Sequence, residues 1–340
     1  MKKLWPKFQK YAEREVRTGL DQVEVPIRDS DGEISGWRSV TSPTELFNTL
    51  IAQNTKHFSQ AKDTPFVTGD LEQYLHPFEQ NQFSESILQC TVNLAHLPLN
   101  ASVRACINEM CFPLGDDDTD PVDKTISADG FLAGFKQPSE DLSTSPSGRH
   151  LGHYKAALDD PELCTMYATV ISIPFRHGFT LHQWTSAVQV MLEKTKGCTQ
   201  IDKLRVIQLV EADLNMALQI IFGCHLIHRA EDWGTIPLSQ WGSCPKRSST
   251  VAILLKRLSY DGLALLQQSA IIFNNDCKAA FDRMIPSVGG IALRCLGASI
   301  NAVSTLLQTL QQMKYQVRTS SLEISDQAFS NLNDWVLGTL

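Results

Sequence analysis

Two runs of strand length, Ala187-Val188-Gln189-Val190-Met191-Leu192 and Leu204-Arg205-Val206-Ile207-Gln208-Leu209, lie close together in the chain, and the stretch between them includes Glu193-Lys194-Thr195-Lys196-Gly197. β-Branched and aliphatic side chains favour extended backbone, and the Lys-Gly segment suits a turn, so these runs predict a hairpin-like pair. The surroundings read as helical. Between Asp213 and Arg229 the apolar positions Leu214, Ala217, Leu218, Ile221, Phe222 and Leu226 recur at helical spacing. A further helix is predicted from about Ser249 to Gln268, with Ile253, Leu254, Leu258 and Leu265 facing inward. An apolar strand at Ile271, helices from about Pro286 to Gly297 and from Asn301 to Gln312, and a short strand at Tyr315 to Val317 complete the pattern, which makes the fold class α+β.

Upstream, residues 1–112 read as a mostly helical region of unassigned role. Residues 1–40 are polar and mixed. Ser42-Pro43-Thr44-Glu45 then has a cap, a proline at the first helical position and an acidic third residue, and Leu46, Leu50, Ile51 and Phe58 follow on one face. Thr64-Pro65 marks a stop, and two more helices are expected, Ser84 to about Leu97 and Ala101 to Met110. From Pro113 to Ser147 the composition shifts to Asp, Ser, Thr, Gly and Pro, which predicts a linker over 113–147 ahead of a second region, 148–340.

A chain of 340 residues, 43% hydrophobic, is long enough for two domains or one large core. Its net charge of -7 argues against wholesale wrapping of nucleic acid, but much of the acidic excess sits around Asp116-Asp117-Asp118-Thr119-Asp120. The later part is near neutral and has room for a local basic groove. The nine cysteines are scattered and never spaced Cys-x-x-Cys, so they read as reduced thiols of an intracellular protein, nuclear or cytoplasmic, rather than a zinc set. No signal peptide or membrane span is expected.

Several separated pieces resemble, in order, the fingers and early palm of a reverse transcriptase of a non-LTR (LINE-like) retrotransposon. Trp184 with Val190-Met191-Leu192-Glu193-Lys194 resembles the family's first run, and Leu204 to Leu209 its Arg-bearing strand. Asn215 to Arg229 sits where the next family helix follows. Ser239-Gln240-Trp241-Gly242-Ser243-Cys244-Pro245 is similar to the family's Gln-x-Gly turn, and "IIFNNDCKAAFDR" (271–283) to palm motif A. The resemblance covers about 145–340. It implies an incomplete fingers and palm of a right-hand polymerase, a fragment of an RNA-directed DNA polymerase that would use an RNA template, a DNA primer and dNTPs.

The chemistry that the resemblance implies is two-metal nucleotidyl transfer, with Mg²⁺ ions about 3.5–4 Å apart on hard oxygen ligands. Asp276 would be a catalytic metal ligand, with the Cys277 carbonyl oxygen beside it, and Phe281 would lie under the incoming sugar. Lys194 and Arg205 would reach the triphosphate, and Gln240, Gly242 and Ser243 the template. Taken singly these residues have plainer readings: Asp276 caps a helix, Phe281 is core, Arg205 pairs with Asp202, the Gly242 turn is a turn, and Lys246-Arg247 is a solvated pair. The sequence also departs from the family. Val206 stands where proline is usual, no Tyr-x-Asp-Asp follows, and the chain closes at Trp335-Val336-Leu337-Gly338, which resembles the lead-in to motif B. The chain alone is therefore expected to be inactive. A polymerase-dead remnant that binds RNA or protein, and an unrelated helical scaffold, stay open as alternatives.

Overall fold

A hairpin comes first in the computed structural model, which describes residues 20–75, 81–111, 122–139, 146–149, 151–242, 244–271, 284–319 and 329–330. Strands β1 (Val23–Arg28) and β2 (Ile34–Val40) pair antiparallel from Val23↔Val40 to Ile27↔Gly36, and Gly32 turns the chain at φ +82°. The sequence reading has only polar, mixed residues here. The reason is visible in the burial: just Val23 and Val40 of these strands are buried, so the alternation that marks a half-buried strand is faint. Helix α1 (Pro43–Phe58) starts where Ser42-Pro43 predicts and buries Leu46, Leu50, Asn54 and Phe58.

Short helices follow: α2 (Glu72–Leu75), α3 (Gln82–Leu88) and α4 (Ala101–Glu109). Asn81 closes a capping box with Ser84 at the start of α3, and Asn100 caps α4 through Val103 N–H. The helix expected to reach Leu97 stops at Leu88, because Cys90 turns left-handed at φ +56° and Asn93 Oδ1 draws the Ala95 N–H into a local turn at 3.0 Å. Leu71, Leu75, Ile87, Leu94, Leu97, Val103, Ile107 and Met110 form one core with Ile291 and Cys295 from far downstream.

The stretch read as a linker, 113–147, contains a helix. α5 (Ala128–Lys136) is capped by Ser127, and its Phe131 and Phe135, one turn apart, are 1% and 0% exposed. Averaged composition hid this i,i+4 aromatic pair, which stacks in the largest core with Tyr154 and Tyr167. Tyr154 comes from α6 (Leu151–Ala156), and Tyr167 from α7 (Pro161–His177), which Asp160 caps and Gly178 ends at φ +74°.

Strands β3 (Ser186–Glu193) and β4 (Leu204–Leu209) form the predicted antiparallel pair, with Glu193 opposite Leu204 and Val188 opposite Leu209. The predicted long helix follows as α8 (Ala212–Leu218), a π-helical stretch Gln219–Leu226 and α9 (Ile227–Asp232). α10 (Ser249–Leu265) forms on its Ser248 cap but buries none of its residues. The expected inward positions Ile253, Leu254, Leu258 and Leu265 are 68%, 55%, 55% and 85% exposed. Helical periodicity identified the helix and not its partner. Ile271, predicted to begin a strand, lies outside any strand and is 82% exposed; the rest of that run, 272–283, lies outside the described residues.

α11 (Pro286–Cys295) and α12 (Ile300–Gln312) lead into β5 (Lys314–Arg318), which joins the other edge of β3 in parallel, with Ser186 beside Lys314 and Val190 beside Arg318. A two-residue β6 (Phe329–Ser330) completes the order β4-β3-β5-β6. α12 seals the end of α7 through one face. Asn301 Nδ2, Thr305 Oγ1 and Gln308 Nε2 donate to the carbonyls of Arg176 (2.7 Å), Pro174 (2.8 Å) and Gly178 (2.9 Å), and Pro174 also accepts the Gly178 N–H that closes the helix at 2.7 Å.

The described chain is thus mixed α+β. Its first hundred residues share cores with its later half, since Met191, Leu204 and Val317 of the sheet pack with Val23, Leu46 and Leu50. No helix among the described residues is long and apolar enough to cross a membrane.

Candidate functional site

Side chains along a strand alternate between the two faces of a sheet, so the register fixes which residues share a face. Ala187, Met191, Leu204, Tyr315 and Val317 point one way, into the cores with α1, α7 and α12. The opposite face carries Val188, Val190 and Leu192 from β3, Arg205, Ile207 and Leu209 from β4, and Lys314, Gln316 and Arg318 from β5. Every charge that these three strands place on this face is positive. Glu193 points to the other face, where its Oε2 accepts the Gly197 N–H at 2.7 Å.

Arg205 sits opposite Leu192 at the turn end of the hairpin, and Lys194 is the first residue after β3. Lys194 and Arg205 are both exposed, Arg205 at the turn end of β4 and Lys194 just past the end of β3. Arg318, beside Val190, lies across β3 from β4, about 10 Å from it by two strand spacings. Among the described residues none of Lys194, Arg205, Lys314 and Arg318 is in an ion pair, so Arg205 is not the partner of Asp202. Lys314 and Arg318 were missed in the sequence, though their spacing on a short strand carried the signal.

The Gln240 turn is held elsewhere. Arg247 Nη1 donates to the carbonyls of Pro237 (2.7 Å) and Gln240 (2.9 Å), while its Nη2 lies 3.1 Å from Glu231 on α9. Lys246-Arg247 is consequently not a solvated pair: the Arg247 side chain is 15% exposed and clamps the turn. Gln240 Nε2 donates to the Gly242 carbonyl at 3.0 Å. No hydrogen bond among the described residues joins this turn to the β3–β4 hairpin. Ser243, Asp276, Cys277 and Phe281 lie outside the described residues, and no group of three or more metal-binding side chains occurs within them.

A buried polar network fixes the base of the hairpin. Asp213, 4% exposed at the start of α8, accepts from Trp184 Nε1 at 3.0 Å, Gln183 Nε2 at 2.9 Å and its neighbour Leu214 N–H at 2.8 Å. Glu211, 1% exposed, accepts from both the N–H and the hydroxyl of Ser147 at 2.8 Å. Both carboxylates sit at a helix start, where they also face the positive end of its dipole. Arg149 bridges the two halves through Gln183 Oε1 at 3.0 Å. Burial, with the Asp213 charge adding to it, pushes the Tyr154 phenol up, against the pull of Arg149 beside it. Sequence reasoning passed over Glu211 and Asp213, whose only signal is a pair of carboxylates ahead of an apolar helix.

The chain matches no family model, and no curated protein matches it.

Proposed function

We propose that the chain is the fingers and early palm portion of a reverse transcriptase of the non-LTR retrotransposon kind, and that the cationic sheet face is where it meets nucleotide and nucleic acid. The observation that carries this reading is the charge of that face, which holds Arg205 of β4 with Lys314 and Arg318 of β5. The three strands place no carboxylate on it, and none of the three cations is in an ion pair among the described residues. An exposed Arg offers bidentate contact to phosphate oxygens and Lys a point charge, which suits a triphosphate or a phosphodiester backbone. The in-order motifs from Trp184 to Arg283 support the same reading. In it Mg²⁺ would be held at Asp276 and the Cys277 carbonyl.

Binding to single-stranded RNA tests the reading without requiring catalysis. Affinity measured by fluorescence anisotropy is expected to fall with salt at about 0.7 log units per phosphate contacted. Lys194→Ala and Arg205→Ala should each weaken binding and flatten that slope by roughly one contact. Absence of binding at low salt, or a slope that neither substitution moves, would remove the sheet face from this role.

A further inference from the structure

Helix α7 has two apolar faces. Cys164, Ala168, Ile171 and Phe175 point into the largest core, while Leu163, Met166, Val170 and Ile173 stay 39%, 49%, 49% and 37% exposed on the outside. These four recur at intervals of three, four and three residues, the spacing of a seam between two paired helices. Tyr167 and Pro174 border the stripe on its inward side, where Tyr167 stacks on Phe131 of α5 at 5.7 Å. Glu162, Thr169 and Arg176, all exposed, border it on the other. Thr169 Oγ1 donates to the Thr165 carbonyl at 2.8 Å, so covering this edge strands no hydroxyl. Among the described residues neither Glu162 nor Arg176 is in an ion pair.

We propose that this outer stripe pairs α7 with the α7 of a second copy of the chain, in antiparallel orientation. The two ends of the helix differ in charge: Asp159, Asp160 and Glu162 gather at its start, and Arg176 with His177 at its end. Antiparallel helices bring each acidic start to a basic end and set their dipoles against one another, whereas a parallel pair would put like charges side by side. A two-fold axis beside Ala168 sets Leu163 against the partner's Ile173 and Met166 against the partner's Val170, and symmetry repeats both contacts. In that register Glu162 and the partner's Arg176 share an edge, offset by two residues, about 3 Å along the axis. Two symmetric ion pairs are then within reach. A helix of 17 residues is about 25 Å long, and one such pair buries less than the roughly 1,600 Å² of a standard interface. The dimer is therefore weak and concentration-dependent.

Sedimentation equilibrium of the full chain over a series of concentrations tests this, and the expected result is a monomer–dimer equilibrium. Val170→Lys, at a position exposed in the single copy, should abolish the dimer, and Leu258→Asp on the exposed helix α10 should leave it. Glu162→Arg or Arg176→Glu alone should weaken association about tenfold, since each sets like charges together at both ends of the pair. The double reversal should recover most of that loss. It should nevertheless melt lower than the wild type, because both new charges oppose the helix dipole, so association and melting temperature separate a role between copies from a role within the helix. A chain that is monomeric at every concentration, which would leave the stripe to a different partner, would overturn the proposal. So would self-association that Val170→Lys leaves intact or Leu258→Asp removes, or a double reversal that associates no better than the single ones. The wild-type series decides without any variant having to fold.

Discussion

Asn54 of α1 donates through Nδ2 to Gln189 Oε1 of β3 at 2.6 Å, and both residues are 0% exposed. With a longer contact from the same Nδ2 to Met191 Sδ at 3.8 Å, this hydrogen bond joins the N-terminal helix to the central strand across 135 residues of sequence. Removing one partner strands a buried amide. Asn54→Leu is expected to destabilise the fold by about 1–3 kcal/mol, whereas Asn54→Leu with Gln189→Leu should recover most of that loss, because two apolar groups leave nothing unsatisfied. Urea unfolding of the double-mutant cycle measures it; an additive double mutant would mean that the amides do not act as a pair.

Asp213 gathers donors from Trp184, Gln183 and its neighbour's backbone. Asp213→Ala leaves the buried indole N–H without a partner and should cost roughly 3 kcal/mol, with a change in Trp184 fluorescence. Asp213→Asn keeps one acceptor and should cost less. Equal losses for the two variants would show that the charge and its hydrogen bonds are not what matters at this position.

Phe131 and Leu265 provide a contrast that composition alone does not predict. Phe131 lies in the stretch with linker-like composition yet is 1% exposed, so Phe131→Ala should cost about 3–5 kcal/mol. Leu265 lies in a strongly periodic helix yet is 85% exposed, so Leu265→Lys should change stability by about 0.5 kcal/mol or less. Thermal denaturation of both variants decides it, and a reversed order would contradict the placement of α5 and α10.

Alkaline pH should loosen the fold in a defined window. The Cys295 thiol is raised from an ordinary 9.0 to about 11 by burial, and burial raises the Tyr315 phenol as well. Each folded group holds its proton after the unfolded chain has begun to release it, so the unfolded state binds fewer protons and stability falls as pH rises. The contribution is complete below pH 9 and declines from there through 11. Urea midpoints between pH 8 and 11 are expected to show this decline, and Cys295→Ala should reduce its slope; a midpoint independent of pH across that window would contradict it.

Local signals determined much of the secondary structure. Ser42-Pro43, the two apolar runs around Gly197 and the periodic Asp213–Arg229 segment each specify an element through backbone preference, capping or spacing, and α1, β3, β4 and α8 with its continuation form where those signals lie. Of the proposed site, the sequence offered Lys194 and Arg205 as residue types suited to phosphate. Strand register then put Arg205 on one face of the sheet and added Lys314 and Arg318 from a strand more than a hundred residues on. Burial depends on what lies opposite each side chain. The sequence alone could not show that Phe131 would be enclosed, that Leu265 would not, or that Arg247 would hold the Gln240 turn through contacts with Pro237 and Glu231. Propensity and periodicity act over a turn or two of chain, whereas enclosure and charge pairing depend on segments that only tertiary packing brings together.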